Sequence, residues 1–354
     1  MTENELDLRI YEDELLPWLP EEIIDIHVHI GLAEHIGPIS PDRIVANWAI
    51  EVGVQQSWEQ LWANCRTLFP RQKVGALAFG GVYREVDIEA NNDYVLAGAN
   101  DDYIPHPPIP FRKPFPSNAG SVWALMVSHP SWPAEEIEHG MEYGFAGIKP
   151  YPDLAPDMDR EPGIFDFCPH SHLEVLNQYG GVMMLHLPRK ARLADSDNIR
   201  ELIEISDRYP SVKMIVAHIG RSFCLPTAQK GLPPLADRPS IYFDTSANLN
   251  ADVFQYALET VGSDRLLFGS DLPITLMRGV REHVGETYIN YTNAPYSWNT
   301  NRKSPEEEAG YTFYLYEELR ALIAAVQKAG MGRDEMRKIM LTNSAKLLRA
   351  KGAD

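Results

Sequence analysis

Short apolar runs recur along the chain, each closed by small or polar residues. They are EEIIDIHVHIG (21–31), KVGALAFGG (73–81), SVWALMVSHP (121–130), GFAGIKPYP (144–152), GGVMMLHLP (180–188), VKMIVAHIG (212–220), IYFDTSA (241–247) and RLLFGSDLP (265–273). Consecutive apolar or β-branched residues bounded by turn formers are the pattern of a strand buried on both faces in a parallel sheet. Amphipathic helical patterns lie between several of these runs, as at 133–144, 170–180, 197–210 and 252–262. The strand–helix alternation is cleanest over 121–273 and predicts a (β/α)8 TIM-type barrel, an α/β fold, over about residues 22–275. An open doubly wound sheet is the alternative. As a dinucleotide fold it is weakened because no G-x-G-x-x-G follows the first run.

Three segments break the alternation. Residues 31–70 carry Trp48, Trp58 and Trp62 and are expected to form helices near the barrel mouth. Residues 101–116 (DDYIPHPPIPFRKPFP) are too rich in proline for regular structure. Residues 272–304 read as a long aromatic and Asn-rich loop after the last strand, and long loops of this kind often serve as lids. From 305 to about 351 the chain reads as two further helices, so one barrel domain with loop insertions and C-terminal helices accounts for residues 1–354.

The balance of charge narrows the partners. Fifty acidic residues against 32 basic ones give a formal net charge of −18. Such a surface repels phosphate backbones and anionic lipid, which argues against nucleic acid and membrane as partners. An anionic substrate would need Arg or Lys placed locally in its pocket. Cys65, Cys168 and Cys224 lie far apart with no C-x-x-C pair, which fits a reducing compartment. The acidic N-terminus has no basic, then apolar, leader pattern, and no apolar stretch is long enough to span a bilayer. The cytoplasm is the expected location.

Chemistry collects at the ends of the apolar runs. His27 and His29 are two apart at the end of the first, where i and i+2 share a strand face. His186, His218 and Asp271 close three later runs at the equivalent place. In a barrel these positions converge on the C-terminal mouth, where such folds build their sites. A buried His or Asp at the end of an apolar strand is costly unless paired or ligated, and imidazoles with a carboxylate suit Zn2+, or Mn2+ or Fe2+ with more oxygen ligation. His170 and His172 repeat the His-x-His spacing, but they follow Pro169 and open a helix, so they read as surface or helix-start residues.

The ordered set Asp25-Ile26-His27-Val28-His29-Ile30-Gly31, Gly147-Ile148-Lys149, the run ending in His186, Ala217-His218-Ile219-Gly220, Phe268-Gly269-Ser270-Asp271 and the closing Asn343-Ser344-Ala345-Lys346-Leu347-Leu348 resembles the amidohydrolase superfamily. More narrowly it resembles the amidohydrolase-related branch, which holds metal-dependent hydrolases and the ACMS-type and resorcylate-type decarboxylases. The resemblance spans about residues 23–348. It implies one divalent metal ion, Zn2+ before Mn2+ or Fe2+, held by His27, His29, His186 and Asp271. Asp271 would also accept the proton of the nucleophilic water. His218 would hydrogen-bond that water or the substrate, or ligate a second metal. Lys149 is carbamylated in binuclear relatives; here an unmodified ammonium that binds substrate is expected, with Pro150-Tyr151-Pro152 departing from the surroundings of a bridging lysine.

Softer candidates for substrate contact are Arg221, directly after the His218 motif, and Arg84 after the second run, with His129 after the third. Asp244 in IYFDTSA reads as a structural acceptor or a support for the ligands. The expected activity is hydrolysis of an ester, lactone or amide bond of a small, carboxylated substrate through a metal-activated water. The alternative is non-oxidative decarboxylation of an aromatic or unsaturated acid on the same ligands. A non-catalytic binding barrel is a third class, opposed by the complete ligand set. Relatives of this kind are often dimers, so a homodimer is a further expectation.

Overall fold

In the computed structural model, which describes residues 2–53, 55–100, 119–157 and 159–348, each of the eight apolar runs forms a strand. These are β1 (Glu22–His29), β2 (Lys73–Phe79), β3 (Ala119–Val127), β4 (Gly147–Lys149), β5 (Val182–Leu185), β6 (Lys213–Val216), β7 (Ile241–Asp244) and β8 (Leu266–Leu267). They pair in chain order and in parallel. The seam between the last and the first is closed by Ile26 N–H to Phe268 O (3.0 Å), Asp271 N–H to His27 O (2.9 Å) and His29 N–H to Leu272 O (2.9 Å). The result is the expected (β/α)8 barrel.

A helix follows each strand: α1 (Trp58–Leu68), α2 (Ile88–Ala99), α3 (Ala134–Tyr143), α4 (His170–Tyr179), α5 (Ser196–Arg208), α6 (Leu225–Gly231), α7 (Ala251–Val261) and α8 (Tyr314–Lys328). Their starts carry the signals that stop a chain from continuing as coil. Ser57 caps α1 in a reciprocal box with Gln60, Asp87 caps α2, and Asp195 accepts from Asp197 and Asn198 at the start of α5. Apolar side chains divide between two layers. Ile24, Ile26, Leu77, Leu125, Met184, Ile215 and Leu267 fill the barrel, while Ile23, Val28, Leu173, Leu202 and Phe254 pack between barrel and helices.

One irregularity in β1 matters for function. Asp25 pairs with Ala76 but Val28 pairs with Ala78, so β1 carries one extra residue across that interval. A one-residue slip swaps the faces of a strand. Ile24 and Ile26 therefore belong to the barrel interior while Val28 joins the outer layer, and His27 and His29 become the inward pair.

Helices Pro41–Ala46 and Trp48–Gly53 stand at the mouth as expected for the segment after β1. The proline-rich 101–116 lies outside the described residues. The long segment after β8 is not the irregular loop that its composition suggests. It contains an antiparallel hairpin, β9 (Gly279–Val284) and β10 (Thr287–Thr292), joined by Gly285-Glu286 with Gly285 at φ +60°. A two-residue Gly-X turn between alternating strands is a hairpin signal, and it was masked by the surrounding Asn and Tyr. After α8 the chain is helical again from Arg333 to Leu348, as the tail's pattern predicts. Among the described residues no helix is long and apolar enough to cross a membrane.

Candidate metal centre

The strand ends deliver their side chains to one place by three different local devices. His27 and His29 arrive through the slip in β1. His218 lies two residues beyond β6, in a turn where His218, Ile219, Gly220 and Arg221 all take left-handed backbone (φ +57°, +48°, +63° and +61°). Such a run is costly for residues with a Cβ and persists only where its surroundings impose it. Here the His218 N–H donates to Asp244 Oδ1 at 2.7 Å. Asp271 lies four residues beyond β8, also left-handed at φ +60°, and is held by the seam bond to His27 O. Gly269 permits this approach, since a Cβ there would sit 2.7 Å from the Cβ of His27.

The convergence is close. Asp271 Oδ1 is 3.4 Å from both His27 Nε2 and His29 Nε2. His27, His218 and Asp271 offer ligand atoms that lie within 4.8 Å of one another. The rings of His27 and His218 are 4.9 Å apart. His186, expected among the ligands, stands one ring further out, 5.5 Å from the His218 ring, with a buried Nδ1 that has no partner. His218 rather than His186 thus completes the tight group among the described residues. Both histidines line the same cavity, of about 270 Å³, at the C-terminal mouth.

Asp244 supports the group from below. Its Oδ2 is 2.9 Å from His27 Nδ1, and its Oδ1 accepts from the backbone of His218 and from the backbone of Ser246 at 3.1 Å. A carboxylate on Nδ1 fixes the Nδ1–H tautomer and leaves Nε2 with its lone pair toward Asp271. Ser246 O does the same for His218 Nδ1 at 3.0 Å. Burial lowers the pKa of His27 and His186 and takes His218 down to about 4, so the imidazoles are neutral. Burial alone would raise Asp271, but the attraction of His27, His29 and His218, whenever one of these rings carries a proton, holds its carboxyl below the usual range. Neutral imidazole nitrogens facing an ionised carboxylate are the donor set that a divalent cation requires, and the residues present fit such an ion.

The walls are cationic and aromatic. Lys149 ends β4 fully buried, its Nζ unpartnered and 4.7 Å from the centroid of the Phe79 ring; burial lowers its pKa to about 8. Arg221 lines the cavity with one bond to Leu187 O at 3.2 Å. Arg84, expected beside them, does not reach the cavity. Asp153 draws it aside, taking its backbone N–H at 3.2 Å and lying in an ion pair with its guanidinium, and it lines a separate depression that His129 also lines. His170 and His172 do open α4; His172 is buried and bonded to Trp132 O at 2.9 Å, a structural role. Sequence reasoning missed Arg281 and Tyr288, which the β9–β10 hairpin brings to the cavity. The alternation in GVREHV and TYINYT was the signal that could have placed them.

Comparison with known proteins bears on the fold and the family. A sequence search among curated proteins finds no match. Solved structures share the fold at low identity. A protein assigned as a 2-pyrone-4,6-dicarboxylic acid hydrolase from Pseudomonas putida has a TM-score of 0.52 at 15% identity, over 93% of this chain and 98% of that one. The 5-carboxyvanillate decarboxylase of Sphingomonas paucimobilis has a TM-score of 0.57 at 12% identity, over 94% and 100%. A dihydroxybenzoic acid decarboxylase from Polaromonas sp. JS666, solved with manganese and 2-nitroresorcinol, has a TM-score of 0.53 at 14% identity, over 94% and 99%. The family model described as amidohydrolase matches residues 24–350, from the strand that bears His27 and His29 to the closing helix, and the chain therefore belongs to the amidohydrolase family.

Proposed function

We propose that the protein is a metal-dependent hydrolase that cleaves an ester, lactone or amide bond of a small, carboxylated substrate. The observation that carries this reading is the meeting of His27 Nε2 and His29 Nε2 on Asp271 Oδ1, each at 3.4 Å, on the floor of a cavity walled by cations. His27, His29, Asp271 and His218 would hold one divalent ion, Zn2+ in the first instance and Mn2+ or Fe2+ as alternatives, with His186 facing the same space. Such an ion, when bound, supplies Lewis acidity that polarises a carbonyl and brings the pKa of water from about 15.7 towards about 7.

The chain's own residues do the rest. Asp271, whose carboxyl is held below the usual carboxylate range, is placed to take a proton from a nucleophile beside it. His186, which lines the same cavity, is placed to hydrogen-bond a substrate oxygen. Lys149 and Arg221 orient the substrate through its negative groups. Phe79, packed edge-on to His27 and His29, keeps water off that side of the floor.

A second reading, decarboxylation of an aromatic or unsaturated acid, is favoured by the decarboxylases among the structural neighbours. It uses the same ligands without attack by water. Protein loaded in turn with Zn2+, Mn2+ and Fe2+ should be offered carboxylated lactones, esters and hydroxybenzoates, with CO2 and new acid groups measured together. Acid released without CO2 supports the hydrolase, and CO2 alone replaces it by the decarboxylase. Metal-free, chelator-treated protein that still turns over would end both readings.

A further inference from the structure

The barrel floor leaves one wall of the cavity unexplained. Arg281 is 8% exposed on β9 and is fixed on three sides. Its Nε donates to Asn290 Oδ1 at 2.8 Å, its Nη1 donates to Ala247 O at 2.7 Å, and its guanidinium lies 4.6 Å from the centroids of both Phe223 and Tyr288. Ala247 is itself immobilised, because its N–H donates to Glu318, fully buried on α8, at 2.8 Å. Among the described residues Nη2 of Arg281 has no protein acceptor. Arg221 lines the same cavity with Leu187 O as the one acceptor of its side chain, and Arg192 lies against the same aromatic pair, 5.3 Å from Phe223 and 5.4 Å from Tyr288.

None of these three arginines enters an ion pair among the described residues. Others that are partly buried do, Arg43 with Glu85 and Asp153, Arg189 with Glu201 and Arg278 with Asp7, while buried Arg265 instead donates to the backbone carbonyls of Val261, Leu235, Arg238 and Ala236. In a chain with 50 acidic and 32 basic residues, buried cations that find no carboxylate are held apart from the many that exist. An uncompensated buried charge is expensive, and an arriving anion relieves that cost. A rigid planar fork between flat rings suits a planar carboxylate on a flat skeleton better than a point-like or tetrahedral ion.

We propose that Arg281 and Arg221 form a receptor for a carboxylate that is not the reacting group, so that the substrate carries two anionic groups, one on this wall and one toward Lys149 and the metal floor. The β9–β10 hairpin, which supplies Arg281, is then the element that selects the substrate. This rests on the reading of the cavity as an active site, and its test reads binding instead of turnover so that the two can fail separately.

The test is calorimetry on metal-loaded protein with isophthalate and with 3-carbamoylbenzoate, which has the same shape but exchanges one carboxylate for a neutral amide. Wild type is expected to favour isophthalate by at least about ten-fold, and Arg281→Gln to reduce that preference below about three-fold. Arg221→Gln should do the same and serves where Arg281→Gln does not fold. Equal affinities in wild type, or a preference that survives in either folded variant, overturns the proposal. Protein that passes this test but turns over no carboxylated ester, lactone or acid would overturn the proposed function and leave the receptor standing.

Discussion

The floor and the wall of the cavity are built on opposite electrostatic plans. On the floor, the grouped donors have been given partners by the fold: His27 by Asp244, His218 by Ser246 O, Asp271 by His27 and His29. On the wall, Arg221, Arg281 and Lys149 have aromatic rings and carbonyls around them but no ion pair among the described residues. The floor gathers lone pairs and a carboxylate, which suit a cation. The wall gathers cations, which suit an anion. The two needs are complementary, and a bound metal with a carboxylated ligand meets both. The difference teaches that the donors of the floor are oriented by neighbours before any ion arrives, whereas the wall stores an electrostatic cost that only a ligand removes.

The largest effect should come from the floor. Asp271→Asn keeps the shape of the side chain but removes the charge that gathers the imidazoles and the group that accepts a proton. Turnover is expected to fall by about 1,000-fold or more, with circular dichroism unchanged. Near wild-type rates in Asp271→Asn would show that the wall, not the floor, carries the chemistry.

Asp244→Asn asks whether orientation from below matters. The amide can still meet His27 Nδ1, but it no longer enforces one tautomer. Metal affinity, measured by competition with a chelator, should drop by about 10- to 100-fold. An unchanged affinity would mean that the imidazoles are held by packing alone, and the contrast between a partnered floor and an unpartnered wall would lose half its force.

Lys149→Met sharpens the same contrast in the opposite direction, because here a loss of function should come with a gain of stability. Burial takes the Lys149 ammonium down from 10.5 to about 8. Below about pH 8 it is charged in the folded and unfolded chains alike, and its burial weakens the fold. Between about 8 and 10.5 the unfolded chain holds more protons, so wild-type stability rises with pH across that window. Metal-free Lys149→Met should therefore exceed wild type by up to about 3 kcal/mol at pH 7 in denaturant unfolding, with the advantage fading by pH 10.5. A variant less stable than wild type at pH 7 would show that the ammonium is compensated after all.

How much of this was legible in the sequence follows from the same contrast. The floor comes from strand ends, and strands announce themselves as apolar runs, so His27, His29, His218 and Asp271 were visible as residues that interrupt a hydrophobic pattern at its close. The pattern could not say that His218 would stand closer to Asp271 and His27 than His186 does. That depends on a four-residue left-handed turn after β6, which no periodicity reports. Nor could it foresee that an extra residue in β1 is what turns both histidines inward. The wall is another matter. Arg221 adjoins a motif and lines the cavity, whereas Arg84, expected there because it follows the second strand, is tied to Asp153. Arg281 lies on a hairpin set in a stretch rich in Asn and Tyr, and that composition reads as loop.

The smallest effect concerns whether that hairpin is seated as firmly as the wall requires. His283 on β9 is half-buried with an unpartnered Nε2, and burial, then the neighbouring Arg281, lower its pKa to about 4 despite the attraction of Asp252. From about pH 6.5 down to 4 the unfolded chain takes up a proton that the folded chain refuses, so folded stability falls with acidity in that window and levels off below it. His283→Gln removes that term. The thermal midpoint of wild type relative to the variant should decline between pH 7 and pH 4 by at most about 2–3 °C, small because the side chain is only half-buried in a large domain. Parallel pH profiles would mean that His283 is solvated and protonates freely. The hairpin would then stand away from the barrel, and Arg281 would be one more exposed arginine instead of a buried cation in need of an anion.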